Sequence, residues 1–276
     1  MVVFPNAKIN LGLNVIRRRP DGFHDISTVM FPVGWHDVLE VVPAKEGCST
    51  LTVSGRGVDC PPEKNLVMKA LNALRKKIEV PEVDIYLEKI IPDGAGLGGG
   101  SADAAFTILA LNGLFSLGLT EEEMADVAAE VGSDCPFFIY NRPMLATGRG
   151  EILTPIELDL SDYSIVIVKP DGCSVSTATA YAGITPHLPA LSVAEIIDEP
   201  TDCWADRLIN DFEATIAEIH PTIKLIKHRL MDLGASYAAM SGSGSAVFGL
   251  FPNKTDLSTI QQSFPGMNIY IQSATK

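Results

Sequence analysis

The chain has 276 residues, 46% of them hydrophobic, enough for one large domain or two closely packed ones, and global disorder is excluded. Against 21 basic residues stand 34 acidic ones, a net charge of −13, so nucleic acid and anionic membrane are poor partners because their phosphates are repelled. Five cysteines, an odd number with no C-x-x-C pair, read as reduced thiols and point to the cytoplasm.

The first stretch, MVVFPNAKINLGL, sets Lys8 and Asn10 inside apolar sequence and has no cleavage signature, so no signal peptide is expected. No run reaches the roughly 18 apolar residues of a membrane span. From Ile9 the sequence alternates: Ile9, Leu11, Leu13 and Val15 on one side, Lys8, Asn10, Gly12 and Asn14 on the other. That pattern predicts a half-buried strand with a wet polar face. A Pro-Asp-Gly turn leads into a second strand, 26–34, and 36–43 and 50–54 read as further strands. Asn65 opens a helix, Val83–Ile91 is a strand, a glycine run follows, and a helix is expected from about Ser101 to Leu114. Thr120 and Glu123 form a capping box for the next helix, which stops at Gly132, and a short helix begins around Ser133–Pro136. The rest reads as a strand (163–169), helices (177–183, 192–197, and 204–232 broken at Pro221), strands 235–240 and 246–251, a helix (254–264) and a strand (267–273). One open antiparallel sheet backed by helices fits that order. The expected domains are 1–158, with the glycine run, and 159–276.

The run Pro92, Asp93, Gly94, Ala95, Gly96, Leu97, Gly98, Gly99, Gly100, Ser101, Ala102 joins a strand to a helix with five glycines. Glycines let backbone approach a polyphosphate, and a helix N-terminus offers N–H groups and a positive dipole end. A side chain at Gly98 is expected to fill the space a triphosphate needs. The run contains G-x-G-x-x-G, but the strand and acidic residue required about 20 residues later are missing, since 115–124 reads FSLGLTEEEM. Walker A fails for want of a lysine before Ser101, and no H-R-D or D-F-G marks a protein kinase.

This glycine-serine loop resembles the phosphate loop of the GHMP kinase superfamily, and PNAKINLGL (5–13) and MSGSGSAVFGLF (240–251) resemble its other two motifs. RRPDGFHDI (18–26), GSDCPFF (132–138) and INDFE (209–213) narrow the resemblance to one branch. Its members phosphorylate the 2-hydroxyl of a methylerythritol carrying a cytidine diphosphate, in the non-mevalonate route to isoprenoid precursors. The one visible departure is Phe23 where that branch usually has tyrosine.

The resemblance implies an α+β two-domain fold: a ribosomal-S5-like α/β domain, a ferredoxin-like open sheet with helices, and an active site in the cleft between them. It implies ATP as co-substrate, with Mg2+, and a monomer or weak homodimer. Asp134 becomes the catalytic carboxylate, although by itself an Asp before Cys135-Pro136 is an ordinary helix cap. Lys8 becomes its partner, although periodicity alone makes it a solvated lysine. Asn10 is expected to hydrogen-bond substrate. His24 would read the cytosine edge while Phe23 and Tyr181 sandwich the ring. Asn65 and Lys89 would flank adenosine, and Ser101 would touch a phosphate or magnesium, or cap its helix. Gly242 and Ser243, in the 242–245 turn, would reach substrate phosphates or form a plain hairpin. His36, His187, His220 and His228 show no metal spacing and read as structural. Two rivals stand beside this reading: a GHMP kinase of the mevalonate or homoserine type, and a non-catalytic nucleotide-binding regulator.

Overall fold

A computed structural model describes residues 1–45, 47–56 and 60–274. Its strands are β1 (Val2–Val3), β2 (Asn6–Arg18), β3 (His24–His36), β4 (Val38–Pro43), β5 (Thr50–Gly55) and β6 (Val83–Lys89), then β7 (Met144–Thr147), β8 (Ile152–Pro155), β9 (Tyr163–Pro170), β10 (Tyr237–Met240), β11 (Val247–Pro252) and β12 (Met267–Gln272). The helices are α1 (Leu66–Arg75), α2 (Gly99–Phe115), α3 (Glu121–Ala129), α4 (Cys135–Tyr140), α5 (Thr177–Ala182), α6 (Val193–Ile197), α7 (Phe212–Ile219), α8 (Pro221–Asp232) and α9 (Ile260–Ser263). They fall into two compact units. Met1–Lys8, Gly34–Asp93 and Gly98–Arg142 make the first; Ile9–Val33, Gly94–Leu97 and Pro143–Lys276 make the second.

The first unit holds a sheet ordered β1-β4-β6-β5, in which β4 and β6 are antiparallel and β5 joins β6 in parallel. Leu39, Val41, Ile85 and Leu87 alternate with more exposed neighbours, so one face is apolar, and α2 packs on β4 and α1. Asn65 caps α1 by accepting from Val67 N at 2.9 Å, and the Thr120–Glu123 capping box is formed.

The second unit holds the four-stranded sheet β10-β11-β9-β12, antiparallel throughout, and most of the sheet β2-β3-β7-β8. Apart from Tyr163 at its start, β9 is buried on both faces, as its unbroken apolar run SIVIV requires. Val166 and Val168 share a core with Phe212, Ile216, Ile223, Ile226 and Leu230 from the helices and with Leu13, Val15 and Ile26.

Several expectations change. The polar side of β2 is not wet: Lys8, Asn10 and Asn14 are buried along with the apolar side, because elements distant in sequence cover both faces. The hairpin β7–β8 was not expected, since two four-residue strands around Thr147-Gly148-Arg149-Gly150-Glu151 are too short to show a period. Residues 204–211 are not α-helical; Leu13 bridges Asn210 there, and the helix begins at Phe212, whose N–H is taken by Asn210 Oδ1. The helix expected over 254–264 is reduced to Ile260–Ser263.

Candidate functional site

In the first unit α4 starts with Pro136 in its opening turn, where the missing N–H costs nothing. Asp134 precedes it, yet makes no side-chain capping bond. Lys8 Nζ lies 3.7 Å from Asp134 Oδ2, with side chains 4% and 37% exposed respectively. The cap expected of an Asp at this position is thus not formed, and the carboxylate stays open to a ligand. Burial pushes the Lys8 ammonium below the ordinary lysine range, and Asp134 pulls it partly back.

The start of α2 adjoins this pair. A Cβ on Gly98 would stand 2.7 Å from the Phe138 ring and 3.3 Å from Lys8 Cε, in a backbone with φ +73 that side chains rarely adopt. Gly98 is therefore required by the protein's own packing, which corrects the expectation that a side chain there would only fill the triphosphate's space. Gly100 differs: a Cβ would meet just Leu66 at an ordinary 3.5 Å. No side chain caps α2, whose first turn holds Gly99, Gly100 and Ser101, so Ser101 is inside the helix and does not cap it. Its hydroxyl is hydrogen-bonded to the Cys135 thiol, whose pKa burial pushes up to about 12. Pro92 and Ala102 are buried and Asp93 is exposed.

Lys89 is not a flanking side chain open to adenosine. It is 5% exposed, ion-paired to Asp37 and, at 2.6 Å, to Asp103. Asp37 also accepts from Ile91 N at 2.8 Å. Asp103 Oδ1 is buried with no partner. Burial raises the Asp103 carboxyl to about 7, against the pull of Lys89 and with the push of Asp37.

In the second unit His24 and Tyr181 stack on each other, centroids 4.6 Å apart at 13°, and Tyr181 meets Phe212 edge-on at 4.8 Å. Phe23, 54% exposed, pairs with the Arg149 guanidinium 5.0 Å from its ring. The rings expected around cytosine are thus arranged with His24 on Tyr181 and Phe23 against Arg149. Asn10 is 2% exposed; its Nδ2 donates to Thr28 Oγ1 at 3.1 Å and its N–H to Ser241 Oγ at 3.2 Å. Gly242 is buried in the β10–β11 turn and Ser243 is half-buried.

Asp37, Asp103, Arg149 and Asn210 were not singled out from sequence. Asp103, just past the glycine run, and Arg149, in a Gly-Arg-Gly turn, carry weak local signals; Asp37 carries none. Among the described residues no group of three or more His, Cys, Asp or Glu is placed to hold a metal ion. No helix among them is long and apolar enough to cross a membrane.

A family model for the GHMP kinases N terminal domain matches residues 65–142, and one for the GHMP kinases C terminal matches 194–267. A 4-diphosphocytidyl-2-C-methyl-D-erythritol kinase of Parabacteroides distasonis is 51% identical over 255 residues, 92% of this chain and 93% of that one. A kinase of the same name from Bacteroides thetaiotaomicron is 46% identical, covering 98% of both chains. A crystal structure of a 4-(cytidine 5'-diphospho)-2C-methyl-D-erythritol kinase superposes with a TM-score of 0.83 at 33% identity over 98% of both chains. A mevalonate kinase superposes at 0.74 with 14% identity, a likeness of fold alone.

Proposed function

The chain belongs to the 4-diphosphocytidyl-2-C-methyl-D-erythritol kinase family of the GHMP kinases, and from that premise we propose how its residues divide the work. The reaction is ATP-dependent phosphorylation of the 2-hydroxyl of 4-diphosphocytidyl-2-C-methyl-D-erythritol, giving the 2-phosphate and ADP.

The observation that carries the proposal is the Lys8–Asp134 pair: a buried ammonium 3.7 Å from a half-open, uncapped carboxylate beside the N-terminus of α2. Asp134 accepts the hydroxyl proton as the 2-oxygen bonds to the γ-phosphorus and the bond to the β-phosphate oxygen breaks. Lys8 positions Asp134 and stabilises charge on the transferring group. The uncapped first turn of α2, with room at Gly100, suits the phosphates of ATP. Mg2+ bound together with ATP at the first turn of α2 would supply charge neutralisation to the transferring phosphate. Asn65 is assigned to adenosine. Phe23, His24 and Tyr181 are assigned to cytosine; Asn10, Gly242 and Ser243 to the rest of the substrate. Five free cysteines accord with a reducing cytoplasm.

A coupled ADP-release assay tests the reading. Turnover with the cytidyl substrate and none with mevalonate or homoserine is expected. Equal turnover of all three would return the chain to the wider superfamily, and no ADP release from any would favour a non-catalytic nucleotide binder.

A further inference from the structure

We infer that Asn210 is a positioning residue for the phosphate loop, acting through the turn that joins β10 to β11; the inference rests on reading 92–102 as the cradle of ATP. Asn210 is 1% exposed. Its Nδ2 donates to Met240 O and Gly242 O, each at 2.8 Å, and its Oδ1 accepts from Phe212 N at 3.0 Å. Two carbonyls and one N–H demand two donors and one acceptor on a single compact group, which a carboxamide supplies and a carboxylate does not. Glu213 completes the grip: Oε1 accepts from Met240 N at 2.7 Å and Oε2 from Lys227 at 2.6 Å. The run Ile209–Glu213, which sequence alone marks only as a resemblance, thus clamps the first arm of the turn.

The turn in turn holds the loop. Ser241, fully buried between the two clamped carbonyls, donates from Oγ to Gly96 O at 2.8 Å, and Ala246 N donates to Ala95 O at 3.0 Å. A Cβ on Gly96 would run into the Ser241 carbonyl, so the loop lies flat on the turn. A trans peptide points its C=O and the following N–H in opposite directions. Fixing the carbonyls of Ala95 and Gly96 onto the turn therefore aims the N–H groups of Gly96 and Leu97 away from it. N–H groups aimed together off a glycine loop are what a phosphate binds. Asn210 touches no reacting atom; it sets the direction of two that do the binding.

The test is calorimetric titration of MgATP into wild type, Asn210→Ser, Ser241→Ala and the double variant, with Tm recorded for each. Each single variant should weaken ATP on the order of tenfold. The double should weaken it by less than the product, because both cut one chain of contacts. A folded Asn210→Ser that binds ATP within twofold of wild type, whatever its Tm, overturns the inference, as do effects that multiply. Should Asn210→Ser not fold, Ser241→Ala decides alone, and unchanged affinity overturns the inference. Wild type that fails to bind MgATP would instead remove the cradle reading itself, a result visible before any variant is made.

Discussion

Lys8 with Asp134, and Lys89 with Asp37 and Asp103, are made of the same side chains within one unit, each around a buried ammonium, and the two groups differ in how open their carboxylates are. In the first, one ammonium faces one carboxylate across 3.7 Å, and the carboxylate is 37% exposed without a capping bond. In the second, one ammonium touches two carboxylates, all nearly excluded from water, and Asp37 is further tied to backbone N–H groups. The open carboxylate of the pair can meet a ligand; the carboxylates of the closed triad are shut off from one and hold elements together. Burial first, and then the second carboxylate of Asp37, raise the Asp103 carboxyl to about 7, and one of its oxygens has no partner.

The contrast breaks most sharply at Asp134. Asp134→Asn should lower kcat about 10²- to 10⁴-fold with little change in Tm, and Lys8→Met should cost less on top of it than alone. Steady-state kinetics on the four combinations checks this; near-normal turnover in Asp134→Asn would make the open pair as structural as the closed one. Lys89→Met should act on stability, leaving two carboxylates buried without their cation at a cost of about 3–5 kcal/mol by urea unfolding. ATP affinity of its folded fraction should move less than threefold, and a larger shift would restore Lys89 to the nucleotide.

The smallest effect sharpens the comparison. The folded pKa of Asp103, about 7, lies above the ordinary carboxylate value, so between about pH 4 and 7 the folded chain keeps a proton that the unfolded chain has released. Stability from this group is therefore present at low pH and lost as pH rises through that window. Asp103→Asn removes the titration, so its Tm should gain on wild type from about pH 4 to about pH 7 and then level off. A gap that stays constant would show that Asp103 is ionised throughout.

Much of this was legible along the chain. Local signals placed α1 after Asn65, the capping box at Thr120, the buried run of β9 and the glycine loop before α2, because a cap, a period or a glycine cluster needs only neighbours in sequence. The motif order identified the family, and with it Lys8 and Asp134 as a pair 126 positions apart. What the sequence did not contain is which face of a strand is covered. Alternation put Lys8 and Asn10 on one side of β2, but their burial, and the depressed basicity of Lys8, come from elements that pack there from far away in the chain. Nothing local to Lys89 showed that Asp37, 52 residues before it, and Asp103, 14 after it, close on its ammonium. The stacking of His24 on Tyr181, 157 positions apart, was invisible for the same reason. Sequence supplies the groups and their local conformation; solvent exclusion, on which pKa and hydrogen-bond partnership depend, is a property of the whole packed unit and exists only after distant segments have met.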